Sequence, residues 1–134
     1  MPVLKEETVD LCKDVDVVRA RQTVRQWAQE SGFGLVDQTK LVTAASELAR
    51  NTIIHGKGGK MRVQLLNEQA RTGLRLIFED LGPGIPDIEL ALRDGYTTGT
   101  GLGLGLGGAK RLVNQFEVQS KPGAGTRVSA TRWK

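Results

Sequence analysis

The sequence is poor in cysteine and in long apolar runs, and each shortage excludes a class of protein. Cys12 is the only cysteine among 134 residues, so neither an intrachain disulfide nor a thiolate metal cluster can form. No apolar run reaches the length of about 18 residues that a membrane-spanning helix needs. The first ten residues carry acids where a signal peptide has a basic and then an apolar segment. We therefore expect a soluble, cytoplasmic protein with no membrane partner.

Aromatic residues are also scarce, and this argues against binding to nucleic acid. They make up 4% of the chain, and the 19 basic and 15 acidic residues, with a net charge of +4, are scattered along it. A nucleic-acid site clusters its basic residues and often offers rings on which bases stack. We therefore expect no nucleic-acid partner. The positive excess indicates a solvated surface, an acidic ligand such as phosphate, or an acidic protein partner.

The chain length indicates a single domain over residues 1–134. Hydrophobic periodicity and turn residues predict helices and strands along most of it. In order, these are an edge strand 7–12, a helix of about 17 residues capped by Asp16, a helix capped by Asp37 and ending near Ile54, strands 61–67 and 73–79, a short helix 87–93, a mobile loop 94–103, a helix 104–116, and strands 117–120 and 126–133. This order predicts an α+β fold, a two-layer sandwich with helices on one face of a mixed β-sheet.

Two glycine clusters lie where the helical and strand periodicity is lost. The first is the DxGxG motif Asp80–Gly84, and the second has glycine at alternate positions in 101–108. Dense glycine indicates backbone that lies against a ligand or a segment that moves. Because a helix is predicted to begin near Leu104, the second cluster can offer N–H groups and a helix N-terminus to phosphate. The pair of clusters predicts a nucleoside triphosphate site.

Two common phosphate-binding motifs fit this stretch poorly. A P-loop needs GK[ST], but Ala109-Lys110-Arg111 follows Gly108. The glycines at 103, 105 and 108 have the spacing of a dinucleotide fingerprint. That fingerprint must come directly off a strand and be followed by an acid about 20 residues on. Here a loop precedes the glycines and no acid follows at that distance.

The first cluster supplies a carboxylate suited to a base. Asp80 ends a strand among apolar neighbours, where it can accept a hydrogen bond from an exocyclic amine such as that of adenine. Gly82 and Gly84 would leave room for the flat ring. Taken alone, the same residues also fit a plain type II turn after an edge strand.

A polar pair stands on the second predicted helix. Glu47 and Asn51 are four residues apart and therefore point to one face of that helix. Taken alone, they also fit a solvated polar pair. His55, at the end of the helix, is more typical of a favourable charge at a helix C-terminus than of a catalyst.

Together these motifs resemble the Bergerat ATP-binding fold of the GHKL family, which joins gyrase, Hsp90-type chaperones, histidine kinases and mismatch-repair ATPases. Glu47-x-x-x-Asn51 resembles the N box, Asp80-x-Gly82-x-Gly84 the first glycine box and 101–106 the second. Within that family the chain is most similar to the RsbT-type switch serine/threonine kinases of the stressosome. Anti-sigma-factor kinases of the RsbW and SpoIIAB type are related. The segments that carry the RsbT-type match are ARQ, SGFG, VDQ, SELARN, EDLGPGIPDI and AKRLVNQF.

The resemblance implies a site for ATP and Mg²⁺. In it, Asn51 would ligate Mg²⁺, Glu47 would act as the base for the attacking hydroxyl, Asp80 would read adenine, and Thr126 would assist through water. Residues 85–105 would form a lid over the nucleotide. The implied cofactor-binding residues are Asn51, Asp80, Gly82, Gly84, Ile85, Thr100, Gly101, Leu102, Gly103, Leu104, Gly105, Leu106 and Thr126.

The resemblance also implies a function and partners. The substrate would be a serine or threonine of a STAS-domain stressosome protein, and the released kinase would then bind and activate a PPM-type phosphatase. The alternative is an anti-sigma-factor-type binding module in which ATP regulates docking rather than catalysis. Two departures disfavour a histidine kinase: Ile54 stands where many of those enzymes have Lys or Arg, and the chain has no dimerisation and phosphoacceptor helix pair.

Overall fold

The structure is a computed structural model, and it describes residues 3–84 and 105–134. These residues form three helices and five strands. In chain order they are β1 Val3–Leu11, α1 Asp14–Glu30, α2 Leu35–Ile54, β2 Gly59–Glu68, β3 Arg71–Asp80, α3 Gly105–Lys110, β4 Gln115–Lys121 and β5 Gly125–Trp133. The predicted helix 87–93 and loop 94–103 lie outside the described residues. No helix within the described ranges is both long and apolar enough to cross a bilayer.

The five strands form one sheet in the order β1-β2-β3-β5-β4. Its four pairings are all antiparallel. The two-layer α+β sandwich is therefore confirmed, whereas the prediction of a mixed sheet is wrong. The reason is that β5 returns as the second arm of a hairpin with β4 and inserts beside β3, so it runs antiparallel to both neighbours.

The core lies between α1 and α2 and one face of the sheet. Alternate residues of β2 and β3 point into it, which is the period expected of strands with one buried face. From the sheet come Met61, Val63, Leu74, Leu76 and Phe78, and from the helices Ala20, Val24, Ala28, Leu41, Ala45 and Leu48, all of which are buried. The helical spacing in the sequence thus predicts the buried face correctly.

The β2–β3 hairpin is longer and tighter than the sequence indicates. The loop predicted over residues 68–72 is a two-residue turn in the structure, because both strands extend toward it. Gln69 and Ala70 have φ values of 50° and 65°. Two successive positive φ values are typical of a type I′ turn, whose twist matches that of the strands it joins.

The caps predicted for the two long helices are each wrong by three positions. Helix α1 follows the cap residue Lys13, and Asp16 lies inside its first turn. There Oδ2 of Asp16 accepts hydrogen bonds from the backbone N–H groups of Cys12 (2.9 Å) and Lys13 (3.0 Å). Asp16 thus caps the helix from its third residue rather than from the position before it.

Helix α2 follows Gly34, and Asp37 lies in its first turn. Its Oδ1 accepts hydrogen bonds from Nε (3.1 Å) and Nη2 (2.7 Å) of Arg132 on β5. Nη1 of Arg132 also donates to the Leu112 carbonyl at 3.0 Å. Asp37 therefore joins the helical layer to the sheet instead of capping its own helix.

The helix predicted over residues 104–116 is wrong in its second half. Helix α3 ends at Lys110, and Gln115 already belongs to β4. The backbone N–H of Asn114 donates to the Thr131 carbonyl (2.9 Å), and the Trp133 N–H donates to Oδ1 of Asn114 (2.7 Å). These bonds to β5 draw the chain into the sheet one helical turn after α3 ends.

Candidate nucleotide site

Helix α2 carries the polar pair Glu47 and Asn51. The Glu47 side chain is 16% exposed, and its Oε1 lies 3.4 Å from Nη1 of Arg50. The Asn51 carbonyl accepts the N–H groups of His55 (2.9 Å) and Gly56 (3.3 Å), which end the helix. Both predicted residues thus lie on one half-buried helical face, one turn apart, close to the end of α2.

Strands β3 and β5 bring Asp80 and Thr126 together. The two residues are direct partners in the β3–β5 register, and Gly59 of β2 is opposite Asp80 on its other side. Opposite residues of an antiparallel pair project to the same face of the sheet. Asp80 and Thr126 are each two positions from a buried residue of the same strand, Phe78 and Val128 respectively. Their side chains therefore project to the same face of the sheet, the one that α2 covers. The sequence prediction that they act together is consistent with this placement.

Gly56 connects the end of α2 to Asp80. A Cβ atom at Gly56 would overlap the Asp80 carboxyl group, and a Cβ atom at Gly82 would lie 2.8 Å from Cα of Gly56. The Gly82 N–H donates to Oδ1 of Asp80 at 2.9 Å. The carboxylate is therefore held between its own turn and the helix that carries Glu47 and Asn51. Sequence reasoning missed Gly56, although its position directly after the helix was a signal.

The backbone of the first glycine box, Asp80–Gly84, packs directly against the backbone of the turn between β4 and β5. Gly84 has φ +81°, and a Cβ atom there would overlap the Lys121 carbonyl oxygen. Gly125 has φ +90°, and a Cβ atom there would overlap the Asp80 carbonyl oxygen. The Gly123 N–H donates to the Pro83 carbonyl at 2.8 Å. Because both glycines combine a positive φ with such close approach, no other residue fits either position without strain.

Ser120 of β4 is a further residue of this site that sequence reasoning missed. Its Oγ lies 3.0 Å from Oγ1 of Thr126, and it donates to the Gly125 carbonyl at 3.2 Å. Nothing in the sequence distinguishes it from Ser129 of β5, because its partner is set by the β4–β5 register.

An open groove of about 970 Å³ covers this end of the sheet. Asp80, Thr126 and Ser120 are in its lining. It also extends around the end of the sheet, because Lys60, Glu79 and Arg127 line it and have the opposite strand parity. A groove of this size can accommodate a small organic ligand. Within the described residues, Glu47 and Asn51 of α2 do not line it.

Several predicted ligand contacts lie outside the described residues, namely Ile85, Thr100, Gly101, Leu102, Gly103 and Leu104. Gly105 is the first residue of α3. The Leu106 side chain is buried at 6% exposure in the core, so only its backbone is available to a ligand. The contacts themselves stay predictions.

The described residues contain no group of three or more His, Cys, Asp or Glu side chains that could hold a metal by themselves. This fits Mg²⁺ bound together with a nucleotide, because Mg²⁺ commonly takes one or two protein oxygens and completes its shell with phosphates and water. The amide oxygen of Asn51 is a hard ligand of the required kind.

Comparisons with known proteins identify the family of this chain. The model of the "Histidine kinase-, DNA gyrase B-, and HSP90-like ATPase" family matches residues 36–133. The chain is 43% identical over 128 residues to the serine/threonine-protein kinase RsbT of Bacillus subtilis, with 96% of each chain covered. It is 31% identical over 119 residues to an anti-sigma F factor of a Thermoanaerobacter species, covering 85% of this chain and 82% of that protein.

Two solved structures share the fold. The RsbU and RsbW domains of a Mycobacterium tuberculosis protein superpose with a TM-score of 0.65 at 22% identity, covering 100% of this chain and 33% of that one. The mycobacterial sensor histidine kinase MprB superposes with a TM-score of 0.59 at 23% identity, covering 96% and 97%. At these identities the likeness concerns the fold alone.

Proposed function

This chain belongs to the histidine kinase-, DNA gyrase B- and HSP90-like ATPase family, and we propose that it is an ATP-dependent serine/threonine-protein kinase. The kinase class rests on 43% identity to RsbT across nearly the whole of both chains. The structural observation that carries the proposal is the contact of Asp80 with Gly56. Through it, the carboxylate that would read the base is held against the end of the helix that carries Glu47 and Asn51.

Asp80 would select the base. Its Oδ1 already accepts the Gly82 N–H, so its second oxygen is left to accept from the exocyclic amine of adenine. Thr126, directly opposite on β5, would bind next to it, either to the base or to a water that contacts the base. A hydrogen bond to an ionised acceptor contributes more than a neutral one, which makes Asp80 the main determinant of base affinity.

Asn51 would hold Mg²⁺ through its amide oxygen. When bound, Mg²⁺ neutralises charge that develops on the phosphates during transfer. Asn51 lies in the last turn of α2, which is fixed by the bonds of its own carbonyl to His55 and Gly56. The ligand is thus presented from a rigid element near Asp80.

Glu47 would take the proton from the attacking hydroxyl. The serine or threonine oxygen of the partner protein forms a bond to the γ-phosphorus, the bond between that phosphorus and the β–γ bridging oxygen breaks, and ADP leaves. Arg50, whose Nη1 lies 3.4 Å from the carboxylate, would hold Glu47 in one orientation. The chain would contribute mainly positioning and electrostatics, as is usual for phosphoryl transfer.

We further propose that the substrates are STAS-domain proteins of a stress-signalling, partner-switching module in the cytoplasm. The released kinase would bind and activate a PPM-type phosphatase. The alternative is a binding module in which ATP regulates docking rather than catalysis, and the 31% identity to an anti-sigma F factor supports it. The intact pair of Glu47 and Asn51 favours the kinase, because a module that only docks does not need a base.

The test is transfer of label from γ-³²P-ATP to a purified STAS-domain protein. We expect label on the partner with the wild-type chain, with transfer reduced about 100-fold or more in Glu47→Gln if the base contributes its usual share. ADP affinity should change little in this variant. Glu30→Gln on α1 is the matched control, since Glu30 is exposed and bonded only locally to Gln26 among the described contacts.

Two outcomes would contradict the proposal in different ways. ADP binding without any label transfer would favour the docking module. Wild-type transfer by Glu47→Gln would remove Glu47 from the role of base while leaving the kinase class intact.

A further inference from the structure

The hydroxyl groups of Ser120 and Thr126 form a pair at the end of the sheet. Their oxygens are 3.0 Å apart, and Oγ of Ser120 also lies 3.2 Å from the Gly125 carbonyl. Ser120 and Thr126 are direct partners in the β4–β5 register, and Thr126 is the direct partner of Asp80 in the β3–β5 register. The three side chains therefore form one row that crosses three strands.

The direction of the bond in this pair follows once the Ser120 hydrogen is assigned to the Gly125 carbonyl. A serine hydroxyl has a single hydrogen, and a carbonyl oxygen can only accept. When Ser120 donates its hydrogen to the Gly125 carbonyl, the contact with Thr126 can form only if Thr126 is the donor. The hydroxyl of Thr126 then has only lone pairs left for a ligand.

The backbone around Ser120 holds this arrangement in place. The Gly125 carbonyl is fixed because Gly125 packs against the Asp80 carbonyl at φ +90°. A Cβ atom at Gly84 would lie 3.1 Å from Oγ of Ser120, so the first glycine box covers the serine closely. Ser120 is thus bounded by backbone on two sides.

We infer that Ser120 is a positioning residue that makes Thr126 a hydrogen-bond acceptor and thereby favours adenine over guanine nucleotides. Adenine carries a donating amino group at the position where guanine carries an accepting oxygen. Where Thr126 contacts the base directly, Asp80 and an acceptor-only Thr126 both suit the amino group, and neither can bond to the guanine oxygen. Without Ser120, the Thr126 hydrogen would be free to donate to that oxygen.

This inference rests on the proposed function, because it requires a purine beside Asp80 and Thr126. The experiment measures ADP and GDP dissociation constants by titration calorimetry for the wild type and for Ser120→Ala. We expect GDP to bind on the order of three- to tenfold more tightly to Ser120→Ala, which is the effect of one net hydrogen bond. ADP affinity should stay within about twofold, since Thr126 can still accept.

A gain in GDP affinity separates this role from a merely structural one, because general damage to the site would weaken both nucleotides. Ser120→Thr keeps the hydroxyl and should restore the wild-type ratio. Ser129→Ala is the matched control. Ser129 also lies on β5, but its cross-strand partners are Ile77 and Glu117, away from Thr126. Ser120→Cys, whose sulfur is a weak acceptor, gives the same expectation as Ser120→Ala should the alanine variant fail to fold.

A double-mutant cycle gives a second readout. In a Thr126→Val background no hydroxyl remains to be oriented, so Ser120→Ala should leave the ADP-to-GDP ratio unchanged. If the wild type binds ADP but Ser120→Ala keeps the wild-type ratio, the inference is wrong and the proposed function stands. If the wild type binds no ADP, the proposed function fails and the inference fails with it.

Discussion

Replacing Asp80 with Asn tests the base-reading role with little disturbance of the fold. The change keeps the size of the side chain and one oxygen, so Oδ1 can still accept the Gly82 N–H that lies 2.9 Å away. It also fits the space that Gly56 leaves beside the carboxyl group. The Asp80→Asn variant should therefore unfold at nearly the wild-type temperature.

The loss should instead appear in nucleotide affinity. The second carboxylate oxygen becomes an NH₂ group, so the exocyclic amine of adenine loses a charged acceptor. A hydrogen bond to a charged group is worth about 1.5–3 kcal/mol, which corresponds to a dissociation constant for ADP roughly 10- to 150-fold higher. Titration calorimetry measures this directly, and circular dichroism measures the unfolding temperature.

Asp10→Asn is the matched control for this measurement. Asp10 is an exposed acid of β1 that lines the same groove, but it lies at the far edge of the sheet, two strands away from Asp80. An unchanged ADP affinity in Asp80→Asn, with the fold intact, would refute the assignment of Asp80 to the base. A large drop in unfolding temperature would instead show that the carboxylate is needed for the turn.

Two further predictions concern stability. Arg132→Met removes the bonds to Asp37 and Leu112. Because the Arg132 and Asp37 side chains are only 16% and 33% exposed, we expect urea unfolding to show a free energy of unfolding about 2–3 kcal/mol lower. A loss below about 0.5 kcal/mol would show that this pair contributes no more than an ordinary surface ion pair. For Asp16, backbone hydrogen bonds from Cys12 and Lys13, with a smaller contribution from Arg19, lower the pKa of the carboxyl below its ordinary value. The ionised carboxylate therefore stabilises the fold above the pKa of the unfolded state, and this stabilisation is lost as the pH falls through the pKa of the folded state. Asp16→Asn should therefore make the free energy of unfolding depend less on pH in the acid range. An unchanged acid dependence would contradict this reasoning.

The sequence predicts most of the elements because they follow local periodicity. The buried faces of α1 and α2, the two hairpins and the edge strand are all confirmed within the described residues. The resemblance to the GHKL family and its RsbT-type kinases is likewise confirmed.

The errors occur where a residue satisfies a local pattern but is used by a distant partner. Asp37 has the chemistry of a cap, yet its carboxylate pairs with Arg132, far along the chain. The sequence of 111–116 has helical spacing, but the backbone of Asn114 bonds to Thr131 of β5. Such long-range bonds can override local propensity, and one sequence gives no direct sign of them.

Two residues of the candidate site were missed for a related reason. Gly56 and Ser120 carry no chemistry that singles them out. Each matters because of what lies opposite, Asp80 for the glycine and Thr126 for the serine. Strand register decides the contact of Ser120 with Thr126, and register is set by the whole sheet rather than by either residue. The packing of the end of α2 against β3 decides the contact of Gly56 with Asp80.

The insertion of β5 between β3 and β4 has a consequence for how the protein acquires its site during folding. Asp80 and Thr126 are adjacent in the sheet but 46 positions apart in the chain. Contacts of such separation require closure of a long loop, and this slows folding relative to the local β2–β3 hairpin. This pair of the candidate site therefore does not exist in a chain that has formed only its helices and first hairpin. Nucleotide can bind productively only after this closure, so it stabilises the completed sheet and not the partly folded forms before it.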